Sequence, residues 1–372
     1  MDPLEKHNHT ARRKGTEFVL TGIADSPELQ APLFGIFLAI YLVTVAGNLG
    51  MIILTHLDSK LHTPMYFFLR HLSITDLGYS TVIGPKMMVN FVVHKNTISY
   101  NWCATQLAFF EIFIIAELFI LSAMAYDRYV AICKPLLYVV IMAQKVRWGL
   151  VLPPYLYSIF VSLFLTIKLF KLPFCGSNVI SYFYCDSVPL ISLLCSDTRE
   201  LELIILIFSG CNLLCSLLIV LVSYMFILMA ILRMNSIKGR YRAFSTCGSH
   251  LTAVVMFYGT LLFMYLQPKS NHTFAVDKMA SVFYTLVIPM LNPLIYGLRN
   301  KEVKDALRRT FTNQCKIFSL AFHVMCSAYK LNKEDDNTQP CCASSPTLIQ
   351  SVVPCMWNIN SLTMDRTHTP GV

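Results

Sequence analysis

Apolar residues along this chain fall in long runs that short polar stretches separate. Each run is close to or above the roughly 20 residues that a helix needs to cross the hydrocarbon core of a bilayer. The seven runs are Leu33–Thr55, Met65–Met88, Trp102–Ala125, Val146–Ile167, Leu203–Leu232, Phe244–Leu266 and Ala280–Leu298. We expect helices, because lipid offers no partners for the backbone groups at an open sheet edge. The pattern predicts an all-α membrane protein, a bundle of seven transmembrane helices.

Basic residues set the orientation of this bundle. Lys and Arg concentrate at the run ends that share one side, for example at Arg128, Lys145 and Arg240. Cytoplasmic loops carry such an excess, so the N-terminus is expected outside, where Asn8 in Asn8-His9-Thr10 is a candidate glycosylation site. The predicted parts are an extracellular segment at 1–30, the seven-helix domain at 31–299, an amphipathic inner-face helix at 300–312 and a disordered cytoplasmic tail at 313–372.

Composition agrees with the bilayer and argues against nucleic acid as a partner. The chain is 55% hydrophobic and 14% charged, whereas soluble domains average about 25% charged residues. The net charge of +9 comes from short clusters between apolar runs, with no continuous basic face. Such clusters are typical of segments that face anionic cytoplasmic lipid.

Acidic and amide residues inside the apolar runs are the first candidates for function, since buried charge in a membrane is expensive. Asp76 lies in the second run and Glu117 in the third, with Asn48 and Asn292 at similar predicted depth. Their oxygens could hold a hydrated sodium ion as an allosteric modulator, because hard cations favour oxygen ligands. Protonated carboxyls that join helices by hydrogen bonds explain the same residues equally well, and both interpretations stay open.

Several ordered motifs carry a resemblance to a known family. Met124–Cys133 contains the triplet Asp127-Arg128-Tyr129, Leu61–Leu69 opens the second run, Arg242–Cys247 opens the sixth, and Pro289–Tyr296 closes the seventh. Together, over roughly Thr16–Thr310, they resemble the odorant receptors of the rhodopsin-like G-protein-coupled receptors. The resemblance implies a plasma-membrane receptor without catalytic activity. Its expected partners are a small, largely apolar odorant, a heterotrimeric G protein of the stimulatory olfactory type, membrane lipid and trafficking chaperones.

The resemblance also implies roles for matched residues. Disulfides are expected between Cys103 and Cys185 and between Cys175 and Cys195. The residues expected to form the switch and the G-protein contact are Asp127, Arg128, Tyr224, Arg240, Arg242, Asn292, Pro293 and Tyr296. Asn292 and water are expected to satisfy the carbonyl that Pro293 frees.

A ligand pocket is expected between the outer halves of the helices. Helical spacing of about 3.6 residues per turn, counted back from Arg128, gives its positions in the third helix, and comparable depth gives the rest. The candidates are Phe110, Glu111, Ile114, Ile115, Phe208, Asn212, Tyr258, Leu261, Tyr265, Val282 and Thr285. Most of these positions are also consistent with plain helix packing, whereas Glu111 could orient a hydroxyl or an amine.

Three other functions compete with this interpretation. A transporter would favour internal repeats, and none is found. An intramembrane enzyme would need more than Asp76 and Glu117, which lack any protease-like motif around them. A receptor variant that reaches the surface poorly, or not in functional form, remains an alternative because the tail at 313–372 departs from the family pattern.

Overall fold

The computed structural model describes residues 17–23, 27–93, 96–175, 177–266, 274–300 and 302–310. Asn8 and the tail at 313–372 lie outside these residues, as do the side chains of Arg242 and Tyr265. The chain divides into two units, Met1–Lys301 and Glu302–Val372. In the second unit the described residues, 302–310, are helical.

Within the ranges that the structure describes, the first unit contains seven long helices. They are α1 (Pro27–Leu57), α2 (Pro64–Val92), α3 (Tyr100–Cys133), α4 (Gln144–Lys171), α5 (Arg199–Arg233), α6 (Ile237–Leu266) and α7, which joins the segments Phe274–Val282, Phe283–Val287 and Ile288–Arg299. Each predicted apolar run lies within one of these helices. The helices are longer than the apolar runs because polar residues on either side of each run form the helix ends. The Ser99 side chain, for example, accepts a hydrogen bond from the Trp102 N–H at the start of α3.

Membrane-spanning character is clear from length and hydropathy. Among the described residues, all of the long helices except α2 are long and apolar enough to cross a bilayer. The α2 helix has 29 residues but buries polar groups, including Ser73, Thr75 and Asp76. It therefore lies deeper in the bundle, while α1, α4 and α5 turn exposed apolar side chains outward, such as Leu42, Phe160 and Leu214.

The third helix forms the centre of the bundle. It packs against α2, α4 and α5 and also contacts α6. Its long buried face includes Glu117, Asp127 and Arg128, so the charged residues that the sequence singles out lie in the interior.

The seventh helix is irregular because two prolines lie within it. A wide π turn, Phe283–Val287, directly precedes Pro289, and Pro293 follows in Ile288–Arg299. Each proline leaves the carbonyl four residues earlier without its usual donor. Ser80 Oγ donates to the Thr285 carbonyl at 3.5 Å, and Asn48 Nδ2 donates to the Pro289 carbonyl at 2.9 Å.

The partner of the Pro289 carbonyl differs from the expectation. Asn48 of α1 binds it, whereas the Asn292 amide turns toward Asp76 of α2. Close approach of α1 and α7 makes this possible. A Cβ atom on Gly47 would lie 2.8 Å from Cγ of Pro293, so glycine is required at this contact.

A small sheet at the outer end was not predicted. Glu17–Leu20 (β1) lies between Thr97–Ser99 (β2) and Val179–Ile180 (β3). It pairs antiparallel with β2, where Phe18 faces Ile98, and parallel with β3. Lys278 Nζ in α7 donates to the Gly22 carbonyl at 3.1 Å, just after β1. The β1 strand and the residues just after it are thus joined to two outer loops and to α7.

Candidate functional site

The second outer loop, residues 172–198 between α4 and α5, is fixed to the bundle by covalent bonds. Cys103 at the start of α3 is bonded to Cys185 in the loop, and Cys175 is bonded to Cys195. This is the pairing that the resemblance implies. The Cys185 N–H also donates to Oε1 of Gln106 at 2.9 Å. Residues that follow Cys185 are therefore held over the outer half of α3.

Aromatic side chains of this loop cover the outer end of the bundle. Tyr182, Phe183 and Tyr184 are buried; the Tyr182 and Phe183 rings stack, and the Tyr184 ring contacts Phe183 edge-on. The Tyr184 hydroxyl hydrogen-bonds to the Tyr284 hydroxyl of α7 at 2.7 Å, and the Tyr184 ring contacts the Phe110 ring edge-on. The candidate Phe110 thus lies beneath the loop.

Two carboxyl groups meet at one serine beside this aromatic cover. Ser187 Oγ donates to Glu111 Oε1 at 2.8 Å, while the Ser187 N–H donates to Asp186 Oδ1 at 2.7 Å. Asp186 caps the short helix Ser187–Ile191. Burial raises the pKa of Asp186 to about 6, although the hydrogen bond from Ser187 opposes this shift. The second Glu111 oxygen, Oε2, is shielded from solvent and has no hydrogen-bond partner within the described residues.

The other residues predicted to line the pocket take part in separate contacts between neighbouring helices. Ile115 packs with Val161 and Leu165 of α4, with Ile114 and Phe208 against this cluster.

Polar candidates likewise join neighbouring helices. Asn212 Oδ1 accepts from the Tyr157 hydroxyl at 2.7 Å, which joins α5 to α4. The Tyr258 hydroxyl donates to the Leu118 carbonyl at 3.0 Å, which joins α6 to α3. Thr285 and Val282 are buried in α7, and Leu261 of α6 is half-buried.

A polar cluster occupies the middle of the bundle, where the sequence predicted it. Asn292 Nδ2 donates to Asp76 Oδ2 at 3.0 Å, and the Tyr79 hydroxyl donates to Asp76 Oδ1 at 3.1 Å. Both Glu117 carboxyl oxygens are buried without a hydrogen bond from the described residues, as are Oδ1 of Asn48 and Oδ1 of Asn292. The cluster therefore presents oxygen atoms that lack donors. No group of three or more His, Cys, Asp or Glu side chains suited to a metal occurs in the described part of the chain.

A compact lock closes the inner end of α3. Arg128 Nη2 lies 2.5 Å from Asp127 Oδ2, and the pair is buried. The Tyr138 hydroxyl, from the short helix Tyr138–Ile141 of the inner loop, donates to Asp127 Oδ1 at 2.8 Å. Burial and the Asp127 charge raise the pKa of Tyr138, so it remains a hydroxyl donor. Asp127 thus accepts from both Arg128 and Tyr138.

Three other switch candidates, Tyr224, Arg240 and Tyr296, make separate contacts. The Tyr224 hydroxyl donates to His250 Nδ1 at 2.7 Å, since His250 Nε2 donates to the Leu121 carbonyl. The Tyr296 hydroxyl is buried without a partner among the described residues. Arg240 Nε donates to the Met234 carbonyl at 2.8 Å at the start of α6. In this arrangement Tyr224 and Tyr296 make no hydrogen bond to each other or to Arg128 within the described residues.

Comparison with known proteins gives the family. The family model described as "Olfactory receptor" matches residues 37–314. This chain belongs to the olfactory receptor family. It is 83% identical over 317 residues to human Olfactory receptor 8K1, covering 85% of this chain and 99% of that protein. It is 62% identical over 294 residues to mouse Olfactory receptor 8U3, covering 79% of this chain and 92% of that protein.

The fold has a solved counterpart. The crystal structure of squid rhodopsin aligns with a TM-score of 0.61 and 18% sequence identity, over 77% of this chain and 86% of that one. The bundle of this olfactory receptor therefore has the rhodopsin-like architecture that the sequence predicted. The chain is a multi-pass plasma-membrane protein, an odorant receptor that signals through a G protein, and not an enzyme.

Three residues beside the candidate pocket of this olfactory receptor were missed in the sequence. Tyr184, Ser187 and Tyr284 contact the candidates Phe110 and Glu111. Tyr184 and Ser187 lie in a loop, where hydrophobic periodicity gives no position. The one usable signal was their distance from Cys185, since the implied disulfide brings the next residues to α3.

Proposed function

We propose that an odorant bound among the outer halves of α3, α5, α6 and α7 opens the inner end of the bundle to a G protein of the stimulatory olfactory type. The observation that carries this proposal is the buried lock of Asp127, Arg128 and Tyr138. Its contacts involve side chains alone, so they can be exchanged for contacts with a partner. An odorant can favour the open state only through a higher affinity for it.

The open state would reuse polar groups near the lock. The Tyr296 hydroxyl is buried and has no partner in the described part of the chain, and the Tyr224 hydroxyl binds His250. Rotation of Tyr296 toward Tyr224 and Arg128 would satisfy that hydroxyl once Asp127 releases the guanidinium. Arg240 and Arg242, at the start of α6, would then face the G protein.

The test is a cAMP reporter in cells that contain the olfactory G protein and trafficking chaperones. A dose-dependent odorant response that Arg128→Ala removes, at unchanged surface staining, supports the proposal. The same assay on a chain that ends at Thr312 separates the tail from the receptor domain. An odorant response that persists in Arg128→Ala contradicts the assigned coupling role. Poor surface staining of the full chain alone would indicate that the tail limits trafficking.

We also propose sodium as an allosteric modulator of the polar cluster. Oxygens of Asn48, Glu117 and Asn292 beside Asp76 that receive no hydrogen bond from any described residue support it, because hard cations bind oxygen ligands. Sodium would favour the closed state, so replacing sodium by choline should increase odorant potency in the wild type. Asp76→Asn should abolish this difference. Equal potency in both salts for the wild type would instead favour protonated carboxyls that join the helices.

Lipid and chaperones complete the proposed partners. Exposed apolar side chains on α1, α4 and α5 support contact with acyl chains. The same surfaces need protection before insertion, which supports a chaperone during trafficking.

A further inference from the structure

We propose that Glu111 makes this receptor selective for odorants with a basic amino group on an apolar body. The inference rests on the proposed function, since it concerns the ligand that would open the bundle. It starts from the contact of Glu111 with Ser187 and Asp186 beneath the second outer loop.

Ser187 holds both carboxyl groups in place. Its hydroxyl binds one oxygen of Glu111, and its N–H binds one oxygen of Asp186. Asp186 lies close enough to Glu111 for their charges to interact. The loop segment is itself anchored by the bond between Cys103 and Cys185. The Glu111 side chain is therefore fixed through one oxygen, while the other, Oε2, has no partner among the residues that the structure describes.

Charge complementarity selects the ligand. No Lys, Arg or His side chain makes an ion pair with Glu111 or Asp186 in the part of the chain that the structure describes. Two acidic groups thus adjoin without a cation, in surroundings where water is scarce and Coulomb interactions are strong. Oε2 of Glu111 is shielded from solvent, and no described residue donates a hydrogen bond to it. A ligand that brings positive charge and N–H donors supplies what is missing.

An amine fits better than an alcohol. An ammonium group offers three donors and a charge, whereas a hydroxyl offers one donor. If Glu111 is a carboxylate, it binds the ammonium form directly. If it carries a proton, that proton moves from the carboxyl oxygen to the lone pair of the amine, and the same ion pair results. Phe110 directly precedes Glu111 on α3 and Ile114 follows it by three residues, so apolar side chains flank the carboxyl group and suit an apolar body.

The experiment compares matched odorants on the full-length receptor. The first set is 2-phenylethylamine, 2-phenylethanol and ethylbenzene, and the second is cyclohexylamine, cyclohexanol and methylcyclohexane. For the wild type, cAMP responses should show each amine about tenfold or more as potent as its alcohol, as expected for charged hydrogen bonds. Glu111→Gln keeps the shape of the side chain and should remove this preference, with surface staining unchanged.

Three further variants test the details. Glu200→Gln makes the same charge change at an exposed outer position, where Glu200 pairs with Lys168 at 2.6 Å, and should leave the preference intact. Ser187→Ala should lower the ratio of amine to alcohol potency, because Ser187 positions Glu111, and Ser187→Thr should restore it. A ratio that survives Glu111→Gln overturns the proposal.

Binding is measured separately from coupling, by thermal unfolding of purified receptor in lipid nanodiscs with each compound. If amines stabilise the wild type and Glu111→Gln removes this stabilisation, the amine proposal is supported, even without a cAMP response. In that case the absence of a cAMP response means that the proposed G-protein coupling fails. The opposite outcome is also possible to distinguish: neutral odorants give a response that depends on Arg128, while no amine stabilises or activates the receptor. This result supports the proposed coupling and overturns the amine proposal. Absence of amine stabilisation in a silent receptor overturns it as well.

Discussion

The outer and inner ends of the bundle are held together by different kinds of bond. At the outer end, two disulfides and the backbone hydrogen bonds of the β1–β2–β3 sheet fix the second outer loop. At the inner end, side-chain contacts such as Asp127 with Arg128 and with Tyr138 close the bundle. Covalent and backbone bonds persist while the receptor works, whereas side-chain contacts can be exchanged. The outer end is therefore suited to shape a pocket and the inner end to switch.

The free energies of the two kinds of bond support a rigid outer end and a switchable inner end. A two-state equilibrium that moves from 1:99 to 99:1 needs only about 5.5 kcal/mol of differential binding. Side-chain hydrogen bonds contribute about 0.5–3 kcal/mol each, so an odorant can outweigh a few of them. A disulfide contributes about 2–5 kcal/mol to folding and does not open in response to a ligand. Substitutions at the outer end should thus change folding, and those at the inner end should change signalling.

The largest effect is expected for Cys103→Ser. It breaks the bond to Cys185 and frees the loop that carries Tyr184 and Ser187, at a cost of about 2–5 kcal/mol. Surface staining should fall severely, and so should the thermal unfolding temperature. Cys211→Ser is the matched control, because Cys211 is a free, exposed cysteine of α5. Normal surface staining of Cys103→Ser with full odorant responses would contradict a rigid outer end.

Most of the bundle, and much less of the outer end, could be predicted from the sequence. Apolar runs determine the helices, because burial or lipid contact of a helix depends on residues close in sequence. The β1 strand has four residues in a polar segment, and its partners lie about 80 and 160 positions away, so no local pattern reveals it. The partner of the Pro289 carbonyl could not be predicted from a local pattern either. Its binding by Asn48 depends on the close contact at Gly47, which only the packed structure provides.

The inner lock should loosen without loss of folding in Tyr138→Phe. The variant removes the hydroxyl that donates to Asp127 Oδ1, a loss of about 1–2 kcal/mol for the closed state. Basal cAMP should rise about fivefold or more in receptor that reaches the surface normally. Tyr241→Phe is the control, since Tyr241 is an exposed tyrosine near the inner end. Unchanged basal cAMP in Tyr138→Phe would show that the lock does not set the resting state.

A smaller effect of opposite sign is expected for Tyr296→Phe. The Tyr296 hydroxyl is buried and has no partner among the described residues, so its removal should leave the closed state unharmed. If the open state uses this hydroxyl, the variant loses about 1 kcal/mol there, and the maximal odorant response falls while basal cAMP and thermal stability do not. Tyr79→Phe provides the contrast, because its hydroxyl donates to Asp76 in the resting arrangement. A maximal response equal to that of the wild type would remove Tyr296 from the switch.

The smallest expected effect is the pH dependence of folding stability that Asp186 gives to the outer end. Burial raises the pKa of Asp186 from 3.8 to about 6, so the folded receptor takes up its proton more readily than the unfolded chain. The resulting stabilisation is fully present below pH 3.8 and is lost as pH rises through about 6. The Asp186 side chain is half-buried, so the effect of its protonation on the free energy of unfolding should stay below about 1 kcal/mol.

The measurement compares unfolding temperatures of the wild type and Asp186→Asn at pH 7.5 and at pH 5.0. Relative to Asp186→Asn, the wild type should become more stable at the lower pH. Asp197→Asn, an exposed change in the same loop, should not show this gain. A gain of the same size in both comparisons would place the titration elsewhere in the loop and leave the Asp186 carboxyl as an ordinary helix cap.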